Sequence, residues 1–130
     1  MSELKGKTAI VTGASRGIGK AIASTAASLG INLAIAARQE GPLKETADEL
    51  AKKYKVKVLA VPCDVTKLED LENLVEKTKK EYGKIDILIN NAGVSSQYPF
   101  QEQPIEDFEK LAHTNYLGYV RLIRLVINDM

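Results

Sequence analysis

Four short apolar runs, separated by amphipathic helical patterns, constrain this chain more than any other feature. Thr8-Ala9-Ile10-Val11, Leu33 to Ala37, the β-branched run Val56 to Val61, and Ile85 to Ile89 read as strands. Between the first two, Ile18 to Leu29 carries Ala and Ile at helical spacing and stops at Gly30, a residue suited to a left-handed cap. Pro42 to Tyr54 sets Leu43, Ala47, Leu50 and Ala51 on one stripe behind a proline fit for a first helical turn. Leu68, Leu71, Leu74, Val75 and Thr78 form the next stripe, with Thr66 the expected N-cap and Glu69 three residues on. Alternating strands and helices with short connections predict an α/β architecture, a parallel sheet covered by helices on both faces.

Pro104 opens a last expected helix, with Ile105, Phe108, Leu111, Ala112, Asn115 and Gly118 near one face. It runs on through Met130 with no glycine cap and no proline stop. So much Leu, Ile and Val needs a cover, either a further segment or a second subunit, and the expectation is a homo-oligomer formed through residues 104–130.

The 130 residues, 45% of them hydrophobic, suffice for one core, so a single domain over 1–130 is expected. Eighteen basic residues against seventeen acidic leave a formal charge of +1, which argues against nucleic acid or an anionic membrane as the partner. No apolar run approaches the roughly 20 residues that span a bilayer, and the polar start shows no secretory signal. The one cysteine, Cys63, has no partner for a disulfide and no companion ligands for a metal. A cytoplasmic setting is expected.

Between the first strand and the first helix lies Thr12-Gly13-Ala14-Ser15-Arg16-Gly17-Ile18-Gly19. A glycine-rich turn of this kind cradles a dinucleotide pyrophosphate, because the backbone approaches closely and the helix turns its unpaired amides and positive end toward the anion. Taken alone, the same residues also fit an ordinary strand-to-helix turn. A second motif, Asn90-Asn91-Ala92-Gly93, follows the fourth strand directly.

With both motifs at strand ends, the chain resembles the N-terminal half of a short-chain dehydrogenase/reductase, most closely the 3-oxoacyl-carrier-protein-reductase-like members. The family's Thr-Gly-x-x-x-Gly-x-Gly fingerprint is met by Thr12, Gly13, Gly17 and Gly19. The resemblance implies a Rossmann-like doubly wound sheet of four strands in the order 3-2-1-4, truncated before the fifth, with the cofactor outside the carboxyl ends of the strands. It implies cofactor contacts from Gly13, Ser15, Arg16, Gly17, Ile18 and Gly19, from Arg38, from Asp64 and Val65 near the adenine, and from Asn90, Ala92 and Gly93. Asn90 is expected to crosslink neighbouring strand ends through its amide, while Ala92 and Gly93 keep the wall beside the nicotinamide ribose thin.

Charge bears on which cofactor. An Asp or Glu roughly 20 residues beyond the glycines usually accepts from the ribose hydroxyls of NAD. Here Arg38 stands in that place, and its guanidinium offers paired donors to a 2′-phosphate, with Arg16 placed to reach the same group. NADP(H) is therefore expected, and Glu40 keeps NAD(H) open as a second choice. Each arginine alone also fits a solvated surface charge, and Asp64 alone fits a turn acid before Thr66.

Asn115 matches the family's helical Asn that helps hold a water in the proton relay, and it is the one candidate from the reaction centre. An amide on the apolar face of a helix needs partners, so a packing role in the core is the other reading. His113 is expected to be a surface or structural residue. The family's catalytic tyrosine is followed four residues later by lysine, but the residues four beyond Tyr54, Tyr82, Tyr98, Tyr116 and Tyr119 are Val58, Asp86, Glu102, Val120 and Ile123. Ser95 and Ser96 follow the second motif but do not match the catalytic serine. Two functions are open on this reading. One is the cofactor-binding portion of an NADP(H)-dependent oxidoreductase acting on a small carbonyl or alcohol; the other is a dinucleotide-binding or self-associating module without turnover.

Overall fold

The structure, a computed structural model, describes residues 2–95 and 97–130. Four strands, β1 (Thr8–Thr12), β2 (Asn32–Ala37), β3 (Val58–Pro62) and β4 (Ile87–Ile89), form one parallel sheet in the order β3-β2-β1-β4. The connecting helices are α1 (Gly17–Ser28), α2 (Glu40–Tyr54) and α3 (Leu68–Tyr82). After β4 come α4 (Ile105–Ala112), a π-turn (His113–Leu117) and α5 (Gly118–Val126).

All five residues of β1 are buried, as a central parallel strand with both faces covered requires. Alternate side chains of the strands feed two cores. Ala9, Val11, Leu33 and Ile35 pack against Ala23, Ala26 and Ala27 of α1 and Leu43, Ala47 and Leu50 of α2. On the other face Ile10, Ala34, Ala36 and Val61 meet Leu71, Leu74 and Val75 of α3 and Leu122 and Val126 of α5. The chain runs from β1 outward to β3, then returns past β1 to β4, so the direction of strand order reverses beside β1. At that reversal the carboxyl ends of the strands leave a crevice.

Several local expectations shift. The fourth strand begins at Ile87 rather than Ile85, because Asp86 clasps the start of β1. Its amide donates to the Thr8 carbonyl at 2.9 Å, and its carboxylate accepts from the Thr8 N–H at 2.8 Å. The second helix starts two residues ahead of Pro42, which sits within the first turn. Thr66 is not the cap of α3: Lys67 holds that position with no side-chain bond, and Leu68, placed on the buried stripe by its spacing, is exposed. Gly30, with φ of +78°, ends the first helical segment as expected. The last helix is not continuous α-helix but is interrupted by the π-turn.

Among the described residues β4 has a strand partner on one side only. Beside it, on the α1 face, lies an apolar groove of about 520 Å³ lined by Leu4, Ile18, Ile22, Leu29, Ile87 and Ile89 among others. No helix among the described residues is long and apolar enough to cross a membrane, and no cluster of His, Cys, Asp and Glu suited to a metal occurs among them.

Candidate functional site

At the carboxyl edge of the sheet is a cleft of about 830 Å³ to which the segment after every strand contributes. Gly13, Ser15, Arg16, Gly17 and Ile18 form the part after β1. Ala37, Arg38 and Gln39 follow β2, and Cys63, Asp64, Val65 and Thr66 follow β3. Asn91, Ala92, Gly93 and Val94 follow β4, and Lys110 and Thr114 come from the last helix.

The glycine turn is shaped by close approach. Gly13 has φ of +66°, and a Cβ there would stand 2.8 Å from the Cα of Ala92. Gly19 is buried beneath the turn rather than on the cleft wall, and a Cβ on it would run into the Gly13 carbonyl. It therefore brings α1 against the loop, a supporting place instead of the lining place expected. Thr46 of α2 donates its hydroxyl to the Ser15 carbonyl at 3.0 Å and steadies the same turn. Arg16 stands at the N-cap of α1 in extended conformation, and the first turn carries no acidic residue. The first amides of α1 are thus left facing the cleft with the positive end of the helix behind them.

The loop after β4 is tied to the turn by Thr12 and Asn91. The Thr12 hydroxyl oxygen accepts from the backbone N–H of both Asn91 and Ala92, each at 3.0 Å. The Asn91 side-chain amide donates to the Gly13 carbonyl at 3.2 Å. The crosslink between strand ends is therefore made by Asn91, not by the expected Asn90, which is outside the cleft lining. The pair Asn90-Asn91 signals such a link without saying which side chain faces it. β4 stops at Ile89, so strand alternation no longer assigns the next two residues to faces.

On the β3 side, Thr66 serves Asp64. Its backbone N–H and its hydroxyl donate to the same carboxylate oxygen at 3.0 and 2.7 Å. Partial burial pushes the Asp64 carboxyl up, but these two bonds and the positive charges of Lys67 and Arg38 outweigh it and hold the group below its ordinary value. Asp64 is thus an ionised acceptor at the cleft. Cys63 beside it is buried, and burial raises its thiol to about 12, with Asp70 and Asp64 adding to the effect. It is chemically quiet at neutral pH. Arg16, Arg38 and Lys110 give the cleft three cations against the one carboxylate of Asp64.

Asn115 is exposed, contrary to its expected place on an apolar face, and it does not line the cleft. It belongs to the π-turn, where its amide clamps one residue: Oδ1 accepts from the Val94 N–H at 3.0 Å and Nδ2 donates to the Val94 carbonyl at 2.7 Å. The partners anticipated for it are therefore backbone groups of the loop behind the cleft. His113 is exposed, as is Ser95; Ser96 lies outside the described residues. Thr12 and Asn91 belong to the two motifs but carried no expected role of their own, and Lys110 and Thr114 are lining residues outside both motifs. For Thr12 the signal was present, since a polar residue closes an otherwise apolar strand.

The sequence profile of the family described as short chain dehydrogenase matches residues 7–130. The chain is 40% identical over 129 residues to the NADP-dependent 3-hydroxy acid dehydrogenase of Schizosaccharomyces pombe, covering 98% of this chain and 50% of that protein. Its fold superposes with a TM-score of 0.94 and 37% identity on L-sorbose reductase from Gluconobacter frateurii complexed with NADPH and L-sorbose, covering 98% of this chain and 48% of that one. A short-chain dehydrogenase/reductase from Burkholderia phymatum in complex with NAD gives a TM-score of 0.93 at 33% identity, covering all of this chain and 46% of that one. The chain spans about half the length of these relatives.

Proposed function

The chain belongs to the short-chain dehydrogenase/reductase family, and from that membership we propose that residues 1–130 are a dinucleotide-binding domain holding NADP(H). In this reading the domain is the cofactor-binding portion of an oxidoreductase acting on a carbonyl or alcohol carbon of a small molecule. The observation that carries the cofactor assignment is Arg38, which lines the cleft at the end of β2, where the run Ala37-Arg38-Gln39 contains no acid. A guanidinium there favours a 2′-phosphate that a carboxylate would repel. Arg16 supports it from the glycine turn, and the relatives that carry NADPH or depend on NADP agree. Glu40, which kept NAD open, is the exposed first residue of α2 and is not part of the cleft lining.

The wall fits such a ligand physically. Gly13 leaves room that a Cβ would fill, α1 turns its first amides toward the pyrophosphate position, and Asp64 is an ionised acceptor for an exocyclic amine. Ser15, Gly17, Ile18, Val65, Ala92 and Gly93 supply the remaining contacts, Gly19 acts from behind the surface, Asn90 lies outside the lining, and Asn115 holds the loop through Val94. When bound, the nicotinamide supplies or accepts the hydride.

The test is direct binding of both cofactors to the purified chain. NADPH should bind about 10- to 100-fold more tightly than NADH, the worth of one or two charge-assisted hydrogen bonds. Equal or tighter binding of NADH sinks the assignment.

A second reading concerns turnover. No tyrosine of this sequence has lysine four residues later, so the 130 residues alone bind the dinucleotide without reducing a carbonyl. Carbonyl-dependent loss of NADPH absorbance with the pure chain would overturn that. We also take the chain to be a homo-oligomer joined through residues 104–130. Val120, Ile123 and Ile127 are exposed and spaced three and four apart, which places them along one face of α5 for a second helix to cover. The buried, unpaired Cys63 is in keeping with a reducing cytoplasmic setting, which fractionation of cells would check.

A further inference from the structure

The geometry points to Tyr119 as a positioning residue that fixes the Ala92–Gly93 peptide at the end of the cleft farthest from Arg38. This rests on the cofactor reading above. If Arg38 takes the 2′-phosphate and the glycine turn the pyrophosphate, the other half of the dinucleotide extends past β1 toward the loop after β4. That loop is irregular backbone, so its shape depends on what holds it.

Thr12 and Asn91 hold its start, and Asn115 holds Val94. Between them the Tyr119 hydroxyl donates to the Ala92 carbonyl at 2.7 Å. A peptide unit is planar and trans, so the carbonyl of Ala92 and the N–H of Gly93 point in opposite directions. Fixing the carbonyl toward Tyr119, behind the loop, therefore turns the Gly93 N–H away from that helix and toward the cleft that Ala92 and Gly93 line. Gly93 stands close in front of this support: a Cβ on it would lie 3.1 Å from Asn115 Oδ1 and 3.7 Å from the Tyr119 hydroxyl.

The carrier is rigid enough for the task. Tyr119 is in the first turn of α5, whose Leu122 and Val126 are fully buried in the core beside α3. Its neighbour Gly118 packs so closely that a Cβ would sit 2.9 Å from the Val65 carbonyl oxygen. The hydroxyl is thus delivered from the core to the loop, and α5 braces segments after both β3 and β4.

The experiment compares the unaltered chain with Tyr119→Phe, which keeps the ring and removes only the donor. Two ligands are titrated: NADPH, and 2′,5′-ADP, which lacks the nicotinamide half. NADPH affinity should fall about 3- to 10-fold in the variant, the span of one lost neutral hydrogen bond, while 2′,5′-ADP affinity stays within about twofold. Equal NADPH affinity in the two proteins overturns the role of Tyr119, and so does an equal loss for both ligands, which would mark a general structural effect. If the unaltered chain binds neither ligand, the cofactor reading fails and this inference fails with it. Hydrogen exchange of the ligand-free proteins gives an independent readout: amides of residues 91–94 should exchange faster in the variant while those of β1 do not change. Unchanged exchange at 91–94 counts against the proposal.

Discussion

Replacing Thr12 by Val separates the hydroxyl of this residue from its volume. Thr12 is 1% exposed, and its Oγ1 accepts from two consecutive backbone amides, Asn91 and Ala92, each at 3.0 Å. Valine fills nearly the same space, so no cavity opens, but both N–H groups lose their acceptor at once. Leaving a buried donor unpaired costs about 1–3 kcal/mol. Asn91 and Ala92 are only partly buried, so water recovers some of this, and about 2–4 kcal/mol for the pair is the reasonable span. With a urea slope of about 2 kcal/mol/M, the midpoint should move down by about 1–2 M at unchanged slope. Thr12→Ser is the control: it keeps the acceptor and loses one buried methyl, at about 1 kcal/mol. The order of stability should therefore be Thr, then Ser, then Val. If the valine variant is as stable as the serine variant or more so, the two hydrogen bonds are not what joins β1 to the loop after β4.

Three other perturbations follow from the same contacts. Gly19→Ala forces a methyl against the Gly13 carbonyl; overpacking at about 1–3 kcal/mol exceeds the helix-propensity gain of up to about 1 kcal/mol, so urea unfolding should show net loss, and calorimetry should show NADPH affinity falling more than about tenfold. Asp64 is held below its usual value of 3.8 in the folded chain, so its contribution to stability is complete above that pH and is lost as the pH falls through its lower, folded value. The stability gap between the unaltered chain and Asp64→Asn should accordingly be constant above about pH 5 and shrink below about pH 4, and a gap independent of pH would refute the sign. The exposed stripe of α5 predicts an oligomer in sedimentation at micromolar concentration and a monomer for Val120→Asp with Ile123→Asp; a monomeric unaltered chain would dismiss it.

The fold was legible because its determinants are local. Apolar runs such as Leu33 to Ala37 form parallel strands, and Gly30 with φ of +78° stops the segment before them. The cleft was legible for the same reason, since Gly13, Arg38, Asp64 and Ala92 all fall in the short segments that follow strands. What the sequence left hidden depends on partners far along the chain. Asp86 reads as part of an apolar strand until Thr8, 78 positions away, is seen to bond it. Thr66 reads as a cap until Asp64 claims both its donors. Asn90 and Asn91 are chemically identical, and only the nearness of Gly13 chooses between them. Asn115 was placed by counting along a regular helix, and the π-turn breaks that count.

The π-turn at His113–Leu117 closes with the Gly118 N–H donating to the His113 carbonyl, five residues back rather than four. It is a helix with one residue more than its length requires. Were the same residues wound as ordinary α-helix, the extra one would no longer be absorbed, and everything beyond would rotate by about 100°. Leu122 and Val126 would leave the core, Gly118 would leave Val65, and Tyr119 would leave Ala92. Backbone geometry, as much as composition, is therefore under constraint in this segment: the widened turn takes up one residue, and by doing so keeps the buried face of α5 toward its partners.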